Sequence, residues 1–279
     1  MTDLQLRGLN DIPIKVWDEL ERLAGFGVND RIIYACMVGS PSHNTYVPKD
    51  DKDSIDDIDV LLVCVPPKEK VYGLRPWKET EQVQIDEWDI ILHSIRRYTE
   101  LLLKSNPNRL CTLWVRPEHQ VYCSPEFKPY LDNRDLFTTK EAFHSFAGYA
   151  NAQLKKMTAS NAAYSGYMGA KRKALVDKFG YDCKNASHLL RLVTMCKEYM
   201  ETGQLNVYRT QDAQMLQDIK AGKWKLEEVT TLAETRFFEA FKAYEQSALP
   251  ASVDDHKAEK LMMEVLHSCW RTSYAANEP

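Results

Sequence analysis

The sequence predicts an α+β fold, in which a small N-terminal mixed β-sheet with helices is followed by an all-helical C-terminal domain. In the first half, helical spacing alternates with short apolar runs that are typical of strands. From about residue 138 onward, apolar residues recur instead with a helical period, without strand-like alternation. We therefore expect two domains, at residues 1–136 and 137–279.

The N-terminal domain is predicted to contain three strands and two helices. Each strand is an apolar run bounded by polar, Pro-rich or Asp-rich segments, and Asn106-Pro107-Asn108 ends the second helix. The predicted strands are residues 31–38, 58–65 and 87–93, and the predicted helices are residues 15–24 and 94–105.

The C-terminal domain begins with a helix-capping signal at Thr138 and continues through successive helical patterns. We observe neither an internal repeat nor a low-complexity tract in the sequence. The predicted helices are residues 138–157, 160–179, 184–201, 210–220, 226–247 and 251–273.

Composition excludes several classes of protein. The 279 residues include 36 Lys and Arg against 40 Asp and Glu, and the resulting net charge of −4 excludes a highly basic nucleic-acid coat. An apolar fraction of 44% indicates a core-forming protein and not a disordered one. The seven cysteines contain no C-x-x-C pair, so we interpret them as reduced core thiols and expect neither a structural zinc site nor disulfides.

The sequence shows no segment that would carry the chain into or across a membrane. No run approaches the roughly 18 consecutive apolar residues that a membrane-spanning helix needs. The N-terminus also lacks the basic and apolar regions of a secretory signal, so the expected compartment is the cytoplasm.

Three aspartates stand at the beginnings of two predicted strands. Asp57 and Asp59 are two residues apart, so their side chains should point to one face of a strand, about 7 Å apart. Asp89 begins a later apolar strand and is the natural third carboxylate. Because hard divalent cations bind oxygen ligands, this pattern predicts a site for a pair of metal ions.

The Gly39-Ser40 pair follows the first predicted strand. Glycine allows the backbone to approach phosphate oxygens closely, and Ser40 and the following amides could donate hydrogen bonds to them. The sequence contains no P-loop and no G-x-G-x-x-G motif, which excludes the commonest alternative nucleotide sites.

Together these motifs resemble the active-site signature of the DNA polymerase β-type nucleotidyltransferase superfamily. More specifically, the chain resembles the RNA-ligase-associated predicted nucleotidyltransferases, which carry an Asn-Pro-Asn turn after the third carboxylate and a helical C-terminal half. Further matching stretches lie at residues 144–155, 180–192 and 222–224, so the resemblance covers most of the chain.

The resemblance implies a metal-dependent enzyme of the EC 2.7.7 type, which moves a nucleoside monophosphate from an NTP to an acceptor hydroxyl and releases pyrophosphate. Asp57, Asp59 and Asp89 would be the catalytic residues and would hold two Mg²⁺ or Mn²⁺ ions. Gly39 and Ser40 would cradle the phosphates of the NTP, for example ATP.

The helical half supplies candidate binding residues of its own. Lys184, His188 and Arg191 have the spacing i, i+4 and i+7, which places them on one helix face that could contact the nucleotide. Tyr149 and Gln153 lie on a second polar face. With the basic pair Lys171-Arg172, they are candidates for contacts with the acceptor.

The sequence leaves the acceptor and the oligomeric state open. An RNA or tRNA end is favoured by the resemblance and by the basic segment. A protein hydroxyl and a small molecule are the alternative acceptors, and a non-catalytic nucleotide-binding module is the alternative class of protein.

Overall fold

The computed structural model describes residues 4–48, 54, 56–158 and 170–275. The strands are β1 (Ile32–Met37), β2 (Ile58–Cys64), β3 (Thr80–Ile85), β4 (Trp88–Ser94) and β5 (Gln120–Cys123). The helices are α1 (Ile14–Ala24), α2 (Gly39–Ser42), α3 (Lys68–Tyr72), α4 (Ile95–Leu103), α5 (Pro107–Leu110), α6 (Lys128–Asp132), α7 (Ala142–Thr158), α8 (Ala170–Phe179), α9 (Cys183–Thr202), α10 (Ala213–Lys220), α11 (Leu226–Gln246) and α12 (Asp255–Ala275).

The strands form one mixed sheet in the order β3-β4-β2-β1-β5. Strands β2 and β4 are parallel, and the other neighbouring pairs are antiparallel. The predicted α+β fold, with its small mixed sheet and helical C-terminal region, is therefore confirmed. Sequence patterning missed β3 and β5, which are the two edge strands. Strand β3 (Thr-Glu-Gln-Val-Gln-Ile) has only two apolar residues, and β5 has only four residues.

Helix α1 covers one face of the sheet. Its buried Val16 and Leu20 join a core with sheet residues such as Val60 and Leu62. Pro13 precedes the helix, and Gly25 ends it in the left-handed conformation, with φ of 71°. The other face of the sheet is therefore left for the helical half of the chain.

Helix α9 is the centre of that helical half. It packs against α7, α10 and α11, and most of its length is buried. One continuous apolar core includes Leu61 and Val63 of β2 together with Leu189 and Leu192 of α9. The helical half thus packs directly on the sheet. The boundary between residues 136 and 137 stays a prediction.

The seven cysteines are free thiols, and five of them are buried. Burial raises the pKa of Cys36 to about 12 and that of Cys111 to about 11, so both thiols stay protonated at neutral pH. Within the described part of the chain, no helix is both long and apolar enough to cross a membrane.

Candidate active site

A cavity of about 280 Å³ lies between the sheet and α9. The turn after β1 contributes Gly39 and Ser40 to its wall, and β2 and β4 contribute Asp59 and Asp89. Helix α9 forms the opposite wall. The cavity therefore collects the Gly-Ser turn and two of the three predicted carboxylates.

Gly39 allows the Asp59 carboxylate to lie against the backbone of the turn. Its φ is +62°, and a Cβ atom at this position would lie 1.9 Å from Oδ2 of Asp59. Strand β2 also holds the turn close to Asp59, because the Val38 amide donates a hydrogen bond to the Asp59 carbonyl at 2.9 Å. A side chain at position 39 and a carboxylate at position 59 cannot both be present unless the turn or the Asp59 side chain shifts.

Asp59 and Asp89 are direct partners in the parallel register of β2 and β4. Partners in neighbouring strands point to the same face, with the strands about 4.8 Å apart. The Gln82 side-chain amide donates to Oδ1 of Asp89 at 2.7 Å and orients that carboxylate. Asp57 lies just before β2 and is half-buried, but it is not among the described residues that line the cavity.

The electrostatic environment of Asp59 is unusual for a carboxylate. Burial is the main cause that raises its pKa to about 7; the charges of Asp89, Asp57 and Asp56 contribute to the same rise, whereas Lys184 opposes it. The charges of three other carboxylates thus act on Asp59. Oxygen donors crowded in this way suit a divalent cation.

Helix α9 presents the predicted basic face to the cavity. Asp182 caps the helix by accepting from the Asn185 amide, and the spacing of the face then brings Lys184, His188 and Arg191 to the cavity wall. Lys184 is partly exposed, whereas Arg191 is buried. Burial lowers the pKa of Arg191 to about 10, so this guanidinium remains charged at neutral pH.

Sequence reasoning missed a buried ion pair beneath the cavity. Asp56 is fully buried and accepts from the Lys220 ammonium of α10, and Lys184 Nζ lies 3.6 Å from its other oxygen. Lys220 also donates to the Thr45 carbonyl at 2.6 Å. The adjacent Asp57 and Asp59 could have drawn attention to Asp56, but Lys220 lies 164 residues away and has no local signal.

The segment after the Gly-Ser turn is fastened to the helical half at further points. The Asn44 side-chain amide donates to the Arg209 carbonyl at 2.9 Å, and Gln217 donates to the Asn44 carbonyl at 3.1 Å. Nδ1 of His43 lies 2.9 Å from the Val207 carbonyl oxygen. Residues of the C-terminal half therefore hold the turn in position.

Sequence reasoning also missed Arg109, which follows the Asn-Pro-Asn turn and lines the cavity. Asn106 caps α5 by accepting from the Asn108 and Arg109 amides. The buried Arg109 guanidinium donates from Nε to Nε2 of His93 at 3.0 Å. The Asn-Pro-Asn turn was the available signal, because it fixes the start of the short helix that carries Arg109.

The candidate acceptor contacts lie elsewhere. Tyr149 accepts a hydrogen bond from the Asn106 side chain at 2.7 Å, and Gln153 is buried. Neither is among the described residues that line the cavity. Lys171 and Arg172 fall outside the side chains that the structure describes.

The described part of the chain contains no group of three or more His, Cys, Asp or Glu side chains with metal-binding geometry. The cavity wall contributes Asp59 and Asp89, and Asp57 acts on Asp59 through its charge. The three-carboxylate metal site thus stays a prediction.

His93 should make the unfolding free energy depend on pH. Burial, followed by the charges of Arg109 and Arg97, lowers the pKa of His93 to about 3. Between pH 6.5 and 3 the imidazole of His93 is protonated in the unfolded chain but stays neutral in the folded chain. The free energy of unfolding therefore falls as the pH falls. The expected contribution is about 1.4 kcal/mol per pH unit.

This contribution can be measured by urea unfolding between pH 5 and 7.5. His93→Gln should show a smaller loss of stability toward acid than the wild type. His256→Gln is the matched control, because it makes the same substitution at an exposed position on α12. Equal slopes for wild type and His93→Gln would contradict the prediction.

A mixed sheet with a Gly-Ser turn, strand carboxylates facing a cavity and a helical cover has the architecture of a nucleotidyltransferase. The model of the RNA repair pathway DNA polymerase beta family (RlaP) matches residues 14–260. The chain therefore belongs to this family, and the predicted kinship with polymerase β-type nucleotidyltransferases is confirmed. Family and fold together support nucleotidyl transfer as the general activity.

Two solved structures show distant similarity to the chain. One is a nucleotidyltransferase-like protein from Exiguobacterium sibiricum 255-15, with 10% identity, coverage of 85% of this chain and 75% of that chain, and a TM-score of 0.27. The other is the CD-NTase CdnG of Bradyrhizobium diazoefficiens in complex with GTP, with 9% identity, coverage of 96% and 95%, and a TM-score of 0.19. No curated protein matches the chain.

Proposed function

We propose that the protein transfers a nucleoside monophosphate from an NTP to a hydroxyl of an RNA or tRNA end and releases pyrophosphate. The observation that carries this proposal is the register pairing of Asp59 with Asp89 beside the Gly39 turn. Two carboxylates, a phosphate-compatible turn and a basic helix face meet in one cavity. Phosphoryl-group chemistry requires this combination of positioning and charge stabilisation.

The NTP would lie between the Gly-Ser turn and α9. Backbone amides near Gly39 and the Ser40 hydroxyl would donate to phosphate oxygens, and Lys184 and His188 would contact the triphosphate from the opposite wall. Such contacts hold the α-phosphate in place for an in-line attack.

The donor set fits a hard divalent cation. Asp59 and Asp89, with Asp57 beside them, would hold Mg²⁺ or Mn²⁺, and two ions are expected by the resemblance. Bound ions would lower the pKa of the attacking hydroxyl and neutralise charge on the phosphates. Burial, together with the charges of Asp89, Asp57 and Asp56, raises the pKa of Asp59, and a bound cation would favour its ionised form.

The bond changes define what the protein groups must do. The acceptor oxygen forms a bond to the α-phosphorus, the bond from that phosphorus to the bridging oxygen of the β-phosphate breaks, and pyrophosphate leaves with the electron pair. Asp89 would accept the proton of the hydroxyl. Lys184 offsets negative charge on the departing phosphates.

The description of the family, which refers to an RNA repair pathway, supports RNA as the acceptor. The purified protein should be incubated with each labelled NTP, Mg²⁺ or Mn²⁺, and either total RNA or a protein lysate. Label on RNA that depends on metal and is lost in Asp57→Ala/Asp59→Ala supports the proposal. Label on protein or on a small molecule would identify that class of molecule as the acceptor in place of RNA. NTP binding without pyrophosphate release would indicate a non-catalytic nucleotide-binding module.

Lys184→Met should raise the KM for the NTP about 10-fold, because one charge-assisted contact to phosphate is lost. The turnover number should change less. Lys197→Met is the matched control on the same helix, since Lys197 pairs with Glu201 away from the cavity. Steady-state kinetics with varied NTP test this, and an unchanged KM in Lys184→Met would remove Lys184 from the nucleotide site.

A further inference from the structure

Two buried arginines on the cavity wall lack a carboxylate partner among the described residues. Arg109 is 9% exposed and Arg191 is 8% exposed. Arg109 donates to neutral His93, and Arg191 donates from Nη1 to the Met195 sulfur at 3.5 Å. Neither guanidinium lies within 4.0 Å of an acidic oxygen in the parts of the chain that are described.

Arg209 shows how this chain otherwise buries a guanidinium. It is 2% exposed and makes paired hydrogen bonds to the carboxylates of both Glu198 and Asp212. A buried charge is strongly destabilising without such compensation. Arg109 and Arg191 border a cavity instead, where an anionic ligand can supply the compensating charge.

The two arginines extend the cavity away from Lys184. Lys184 lies next to Asp56 and acts electrostatically on Asp59. Arg109 is bound to His93, which shares one face of β4 with Asp89 and Ile91. In the proposed reaction the attacking hydroxyl lies beside Asp89, and both arginines line the same cavity as Asp89.

We propose that Arg109, assisted by Arg191, binds a phosphodiester of the acceptor next to the attacking hydroxyl. The guanidinium fork can donate two parallel hydrogen bonds to phosphate oxygens. The acceptor is then a nucleotide chain. A polycationic small molecule would be repelled by both arginines, and a protein hydroxyl would leave them without an anion. This inference rests on the proposed function, which assigns the hydroxyl to the Asp89 side.

Equilibrium binding of a dinucleoside monophosphate tests the phosphate site without requiring turnover. The matched probe is the same dinucleotide with a neutral methylphosphonate in place of the phosphodiester. The wild type should bind the charged probe at least about 10-fold more tightly, as expected for one charge-assisted pair. Arg109→Met should lose most of this preference, and Arg191 should retain the remainder.

Two further variants separate binding from folding. Arg109→Lys should retain part of the preference, because it keeps the charge but loses the fork. Arg96→Met, which changes an exposed arginine of α4, should retain the full preference. Arg109→Met should unfold at a temperature no lower than the wild type, since it removes a buried charge that has no carboxylate partner.

Equal or undetectable binding of the two probes by the wild type would overturn the phosphate site, as would an unchanged preference in Arg109→Met. Label transfer from an NTP to each probe then tests the proposed function separately. A wild type that prefers the charged probe but transfers no label retains the phosphate site and contradicts the transferase. Equal transfer to both probes retains the transferase and contradicts the phosphate site.

Discussion

Asp59→Asn should abolish nucleotidyl transfer while making the metal-free protein more stable at pH 8. Loss of one central carboxylate should lower kcat at least about 1,000-fold, because this group both positions cations and faces the Gly39 turn. Burial and neighbouring carboxylates raise the pKa of Asp59 to about 7, so ionised Asp59 destabilises the folded state at pH 8. Asparagine has nearly the same shape and removes that charge.

The two effects have opposite signs, which separates a functional role from a structural one. Activity is measured by pyrophosphate release, and stability by urea unfolding in the presence of a chelator. Asp86→Asn is the control, because Asp86 is an exposed carboxylate near β4 that pairs with Lys15. An Asp59→Asn protein with wild-type activity, or one that is inactive only because it is unfolded, would contradict the assignment.

Gly39→Ala should have the second-largest effect. The added methyl group would lie 1.9 Å from Oδ2 of Asp59, in a backbone conformation with φ of +62°. The turn or the carboxylate must then move, and we expect at least a 100-fold loss of kcat/KM and destabilisation of about 1–3 kcal/mol.

Gly180→Ala separates the clash from the backbone strain. Gly180 has a φ of +78°, but a Cβ atom there would meet no atom within 4 Å. The Gly180→Ala protein should therefore lose about 1 kcal/mol of its unfolding free energy and keep its activity. Combining Gly39→Ala with Asp59→Ala should reduce the additional destabilisation, because the clashing carboxylate is gone. Equal activity losses in Gly39→Ala and Gly180→Ala would show that the contact with Asp59 is unimportant.

Local periodicity was sufficient for the central strands and the long helices. Strands β1 and β2 are short apolar runs because both of their faces are covered, one by α1 and the other by the helical half. The edge strands carry less apolar signal. Strand β3 has one exposed face, and its identity depends on its antiparallel register with β4. Such pairing between strands is not encoded in the spacing of either strand.

The candidate site likewise contains residues that sequence motifs reveal and residues that only the folded chain reveals. Gly39, Asp59, Asp89 and Lys184 could be found because each belongs to a short motif or to one helix face. Lys220 could not, since its importance arises only when α10 packs beneath the loops at Thr45 and Asp56. Buried charged residues of this kind are identified by the groups they contact in the folded chain.

The position of Lys220 has a consequence for how activity depends on folding. One ammonium group from the C-terminal half holds the two loops that flank the Gly-Ser turn and the carboxylates. The geometry of the candidate site therefore depends on the C-terminal half as well as on the sheet. Truncation or partial unfolding that removes the Lys220 contacts should therefore disturb the candidate site together with the fold.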